Sequence, residues 1–376
     1  MKKTMFAFLL VVCLVISASS AYGINADVNN VSSITIDPYN TEKFINSAAE
    51  AWLLQNYKEF YDIKDVHADI IRTHKAETAT NYTVAISCMT KLRVASAEEL
   101  PFVQGMYAEM SNMESISGVA KESIDQYVDK IDFTNEYTPL SLEIVIAVSD
   151  LSKGAGLTMY FQDGMDTTLY PIEALELDSK QMYQDGRSTV SAIVAAYKDV
   201  ASYQDVVSLM GYSSYNRVAA RDYAFAWVGS NVTSCYDDGS SCTVRQDRTL
   251  WNNTTYPYIS SLKHNDCADF VSQSIKAGGI PVESTKWDRF NDGNNGWSWT
   301  YVPGLKSYMT GKGYWDTSTF AAANAGNILI WSDESHVALI TLNDTVTHRF
   351  TAHTSDRYNY QFTNSSSYNY YTIKTT

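Results

Sequence analysis

The stretch Asn265-Asp266-Cys267-Ala268-Asp269-Phe270-Val271-Ser272-Gln273-Ser274-Ile275-Lys276-Ala277-Gly278-Gly279-Ile280-Pro281 constrains the fold more than any other. Its small and apolar positions Cys267, Phe270, Val271, Ser274 and Ile275 recur at the spacing of one helix face, with Asn265 or Asp266 available as N-cap. Gly278-Gly279 supplies a left-handed stop and Pro281 prevents continuation, so a helix of about three turns is expected with Cys267 in its first turn. A thiol in that position meets unpaired N–H groups and the positive end of the helix dipole. Both favour the thiolate, the form that attacks a carbonyl carbon, so a lowered thiol pKa is expected. Taken by itself the stretch also suits Cys267 as a small buried hydrophobe, and its partners must decide between the two.

A chain of 376 residues has room for two domains, and its 45% hydrophobic and 13% aromatic content is ample for packed cores. A formal charge of −14 argues against nucleic acid, whose phosphates demand a basic face. Residues 1–23 combine Lys2-Lys3, an apolar run from Met5 to Ile16 and the small residues Ser17-Ala18-Ser19-Ser20-Ala21, the pattern of a cleaved secretory signal. That run is short for a bilayer span and no other segment approaches the length, so a secreted protein without stable membrane insertion is expected. Beyond the signal stand Cys88, Cys235, Cys242 and Cys267. Cys235 and Cys242 flank the turn-rich Tyr236-Asp237-Asp238-Gly239-Ser240-Ser241, which favours a local disulfide in an oxidising compartment and leaves Cys267 free.

From residue 24 to about 207 the periodicities are mixed and carry no catalytic signature. Helices are expected over Lys43–Tyr61, Lys121–Ile131 and Ser188–Val200, and a hairpin-like segment over Gly154–Asp163. Tyr82, Val84, Ile86 and Cys88 alternate with polar neighbours, as do Leu142, Ile144, Ile146 and Val148, the pattern of half-buried antiparallel strands. An α+β accessory domain follows, with Cys88 in its core. His67 and His74 lie near Asp65 and Asp69 without tight ligand spacing, which suits solvated positions better than a metal site.

A seam near Gly211-Tyr212-Ser213-Ser214 opens the second domain, 211–376. Tyr215 to Trp227 reads as a helix with Ala219, Tyr223, Ala226 and Trp227 as its apolar stripe. After the Cys267 helix come a Trp- and Gly-rich loop from Trp287 to Tyr301, a helix over Pro303–Met309, and strands over Asn327–Trp331, His336–Thr341 and Arg349–His353. Where a nucleophile-bearing helix packs on an antiparallel sheet, a histidine at a strand start faces the helix N-terminus and a polar residue of the next strand holds the imidazole. Cys267, His336 and His353 then serve as nucleophile, base and orienting group, with Asp356 as the competing third member. His264 could instead be a metal ligand, but a Cys/His zinc site needs two more soft ligands, which a Cys235–Cys242 pair removes. No cofactor or metal is expected.

Several separated stretches now agree in order with a known family: Tyr215-Asn216-Arg217-Val218-Ala219-Ala220, Asp266 to Gln273, Ala277-Gly278-Gly279-Ile280-Pro281, Ser298-Trp299, Ser335 to Thr341 and Ala352-His353-Thr354-Ser355-Asp356. Over about residues 211–376 the chain resembles the putative amidase domain of secreted bacterial proteins. That family resembles papain-like cysteine hydrolases such as the NlpC-like and CHAP cell-wall enzymes. The resemblance implies a papain-like C-terminal fold, hydrolysis of an amide in peptidoglycan or a peptide, and the roles of nucleophile, base and third member for Cys267, His336 and His353. Asp266, Trp297 and Trp299 are substrate-binding candidates. One departure stands out: Asp269 replaces the asparagine common in the family, and an added negative charge near a thiolate opposes its formation. The alternative is a non-catalytic wall- or glycan-binding module that uses exposed Trp287, Trp297, Trp299 and Tyr301.

Overall fold

The computed structural model describes residues 38–149, 157–162, 169–197, 215–229, 246–257, 259, 265–290 and 296–374. They fall into two compact α+β units, one drawn from Met1–Arg93 and Glu136–Leu177, the other from Val94–Asn135 and Asp178–Thr376. The expected signal segment, the Cys235 and Cys242 pair and His264 lie outside the described residues.

In the first unit, helix α1 (Pro38–Tyr57) precedes an antiparallel meander of β1 (Tyr61–Lys75), β2 (Ala79–Leu92), β3 (Thr138–Ser149), β4 (Leu157–Gln162) and β5 (Leu169–Pro171). The helix starts and stops earlier than its apolar pattern suggests, because Tyr61 already opens β1. Ile45, Ala48, Ala49, Trp52 and Leu53 form its buried stripe, and Tyr57 stacks on Tyr61 with ring centroids 6.3 Å apart. The alternation in β2 buries Val84, Ile86 and Cys88, as expected of a strand with one face on a core. His67 and His74 sit exposed on β1.

The second unit contains α2 (Pro101–Asn112), α3 (Gly118–Asp129), α4 (Ser179–Ala196), α5 (Arg217–Ala226), α6 (Cys267–Ala277), α7 (Trp297–Thr300) and α8 (Val302–Gly311). Side-chain caps fix several starts: Ser117 accepts from the Ala120 N–H at 3.2 Å, and Asp178 from the Lys180 N–H at 2.8 Å. The strands are β6 (Trp315–Ser318), β7 (Ile328–Trp331), β8 (Val337–Asn343), β9 (His348–Ala352), β10 (Arg357–Phe362) and β11 (Tyr368–Ile373). They pair antiparallel in the order β10-β9-β8-β7-β11-β6. Two-residue alternation sends the strand side chains to opposite faces. Ile328, Ile330, Val337, Leu339, Tyr371 and Ile373 share one core with Phe270, Val271 and Ile275 of α6. Trp331, Phe350, Phe362 and Tyr368 contact one another in a separate aromatic cluster.

Asp132, from the chain between α3 and β3, is a buried anchor within this unit. Its Oδ2 accepts from the Ala325 and Asn343 N–H groups, each at 2.9 Å, its own N–H donates to the Asn343 carbonyl, and its Oδ1 pairs with Arg217 at the start of α5. A single carboxylate thus answers backbone donors at two places and a guanidinium at a third.

Candidate active site

The Cys267 helix forms where its pattern places it, and Cys267 is its first residue. The stop is divided between two glycines. Gly279 takes the left-handed φ of 106°, whereas Gly278 is needed for room, since a Cβ there would lie 2.3 Å from the Tyr215 ring. Every residue from Cys267 to Ile275 is buried, so α6 is a central helix rather than a surface one.

The Cys267 thiol lies in one core with Val337 at the start of β8, and the backbone N–H groups of Val337, Ala268 and Cys267 itself favour the thiolate. These contacts are outweighed. Burial, with the nearby Asp266 charge adding to it, pushes the thiol up to about 11. The expected lowering of this pKa is therefore corrected: the helix start supplies donors, but desolvation of a thiol only 5% exposed costs the anion more.

His336 immediately precedes Val337, so the expected base adjoins the strand whose first residue shares a core with Cys267. Its ring lies edge-on against Trp331 with centroids 4.7 Å apart, and its Nε2 is buried without a hydrogen-bond partner. Burial holds it neutral, down to about 3, with the positive charge of Arg357 acting in the same direction and Asp333 opposing. Thiol and imidazole are thus both uncharged at neutral pH, and no hydrogen bond joins them in this structure.

His353 lies elsewhere in the hydrogen-bond network. Its Nδ1 is 2.7 Å from Asp266 Oδ2 and its Nε2 is 2.7 Å from the carbonyl of Trp227, with the ring between Phe270 and Trp251. Asp356 accepts from the Asp247 N–H at 3.0 Å and from Trp251 Nε1 at 3.3 Å. Neither residue hydrogen-bonds His336 in this arrangement. Asp266, a substrate-binding candidate by sequence, is buried and committed to His353.

Asp269 does not face the thiol as a bare charge. Its two oxygens accept from Arg289 Nε at 2.9 and 2.7 Å and pair with Arg289 Nη2 at 2.6 Å, while Trp299 Nε1 at 2.7 Å and Gln273 Nε2 at 3.0 Å complete the set. The guanidinium neutralises the carboxylate inside the fold, and sequence reading missed it because Arg289 stands on a separate loop. The aromatics divide. Trp287 and Trp299, expected at the surface, are buried against each other at 4.6 Å, because the indole of Trp299 serves Asp269. Trp297 and Tyr301 are exposed and 6.1 Å apart. Among the described residues no cluster of three metal-ligating side chains occurs, and no helix is long and apolar enough to cross a membrane.

No curated protein and no solved structure matches the chain significantly. Over residues 214–375, which carry Cys267, His336 and His353, the chain is similar to the family described as "Putative amidase domain", and this likeness supports amide-bond hydrolysis in general terms.

Proposed function

We propose that the second unit is a cysteine hydrolase in which Cys267 attacks the carbonyl carbon of an amide and His336 is the general acid–base. The observation that carries this reading is that Cys267, the first residue of α6, shares one buried core with Val337, the residue that follows His336. Proton transfer requires the imidazole to leave the edge of Trp331 and meet the sulfur, and its Nε2 gives up no hydrogen bond in doing so. With both groups neutral at rest, the thiol proton passes to His336 as the S–C bond forms. The N–H groups at the helix start are placed to stabilise the oxyanion. His336 then protonates the leaving amine as the C–N bond breaks, and water hydrolyses the thioester.

The substrate class proposed is peptidoglycan or a peptide, met outside the cell if residues 1–23 direct secretion. A second reading is favoured by the absent Cys267–His336 bond and by exposed Trp297 and Tyr301: a glycan-binding module on an inactive scaffold. Mass spectrometry of peptidoglycan fragments and peptides incubated with wild type or Cys267→Ala separates the two. New amide-cleavage products that require Cys267 support the hydrolase, whereas binding without products in either protein supports the module.

A further inference from the structure

The residues from His353 to Asp356 hold the start of α6 in more ways than a triad member needs to. A backbone carbonyl only accepts, so the 2.7 Å contact with Trp227 requires a proton on His353 Nε2. The 2.7 Å contact between Nδ1 and Asp266 holds one more proton between ring and carboxylate. Both nitrogens are then in use, and neither is left to orient another imidazole. Trp227 is the C-cap of α5, whose terminal carbonyls favour a cation, while Asp266 is the N-cap of the nucleophile helix and makes no capping bond with its side chain. The ring bridges these two helix ends, 4.3 Å from Trp251 and 3.9 Å from Phe270 by centroid.

The next residue adds a second tie, since Thr354 Oγ1 accepts from the Asp266 N–H at 2.7 Å. To do so the turn holds Thr354 and Ser355 at φ of 62° and 69°, a region that side chains with a Cβ avoid unless surrounding contacts enforce it. Asp356 closes the turn and fixes Trp251 over the ring. The charged groups facing the imidazole are Asp266 and Asp356, and Asp269 on the same helix is already paired with Arg289.

From this geometry we propose that His353 is a positioning residue: a doubly donating imidazolium that clamps the nucleophile helix through Asp266 and the Trp227 carbonyl, rather than the partner that orients His336. The proposal deepens the reading of Cys267 as nucleophile, and its test does not depend on turnover. Burial opposes the charged ring, but the Asp266 hydrogen bond and the Asp356 and Asp266 charges prevail and raise its pKa.

The test uses the full chain with 15N-labelled histidine, together with alkylation of Cys267 by iodoacetamide. In the wild type at pH 6.5, where Asp266, raised by burial to about 6, is ionised, both His353 nitrogens should report as protonated. In Asp266→Asn the ring should become neutral with a bare Nδ1, because the amide donates where the carboxylate accepted. His353→Phe keeps the stacking and removes both hydrogen bonds. Cys267 should then alkylate faster by roughly tenfold, the worth of one charge-assisted hydrogen bond, while Cys88 stays protected. One bare nitrogen on His353 at pH 6.5 would overturn the proposal, as would wild-type alkylation in folded His353→Phe. If Cys267→Ala still hydrolyses amides, the hydrolase reading fails while these results stand or fall separately.

Discussion

Replacing Asp269 by asparagine tests whether the acid on the Cys267 helix is a structural partner. The side chain is fully buried and Arg289 nearly so, at 0% and 2% exposure. In Asp269→Asn one oxygen can still accept from Trp299 and Gln273, but an NH2 group now faces the guanidinium at the place where Oδ2 met Arg289 Nε and Nη2. A buried cation loses its counter-charge and meets a donor, which costs about 3–5 kcal/mol. For a unit of this size that is roughly 10 °C in Tm. Urea unfolding followed by tryptophan fluorescence reports mainly on this unit, since all the tryptophans except Trp52 lie in it. Adding Arg289→Met removes the orphaned cation, so the double variant should recover at least half of the loss. A single-variant cost below about 1 kcal/mol, or strict additivity in the double variant, would refute the account, since paired groups must couple.

Asp132→Ala should destabilise the second unit by about 3 kcal/mol, because Arg217 and two backbone N–H groups lose their acceptor together; an unchanged urea midpoint would contradict it. Excising residues 211–376 removes the same anchor, so that fragment should be less stable than the full chain by a similar amount in the same assay. His336 and His348 are each held neutral by burial down to about 3. An unfolded histidine binds its proton near 6.5, so stability from this source is complete above that pH and falls as pH drops toward 3, by up to about 1.4 kcal/mol per pH unit for each ring. His348→Phe, which can keep the stacking on Phe320, should flatten that acid slope, and an identical slope would refute the assignment. With its thiol held up to about 11, Cys267 should alkylate at a rate that keeps rising above pH 9, and a plateau below pH 8 would show a preformed thiolate.

The local grammar of the chain was legible wherever one helix turn or one strand decides the outcome. The Cys267 helix, its glycine stop, and the strands β7, β8 and β9 follow from periodicity and from Gly and Pro placement. The stripe of α5 was legible in part: Tyr223 and Trp227 pack against the core as expected, but Ala220 and Ala224 are buried in place of Ala219 and Ala226, because alanines around a short helix give a weak periodic signal. What sequence could not supply are the partners that meet only in the fold. Arg289 answering Asp269 and Asp132 reaching Asn343 join residues far apart in the chain, and neither spacing has a local signature. Burial of the thiol was equally hidden, since helix position predicts its donors but not its desolvation.

The central claim, that Cys267 is a nucleophile served by His336, is tested most directly by a peptide-based acylating probe followed by digestion and mass mapping at pH 7. The predicted result is modification of Cys267 with Cys88 unlabelled, sharply reduced in His336→Ala while the fold and the Cys88 protection persist. Equal labelling of both cysteines, or undiminished labelling of Cys267 in His336→Ala, would contradict it.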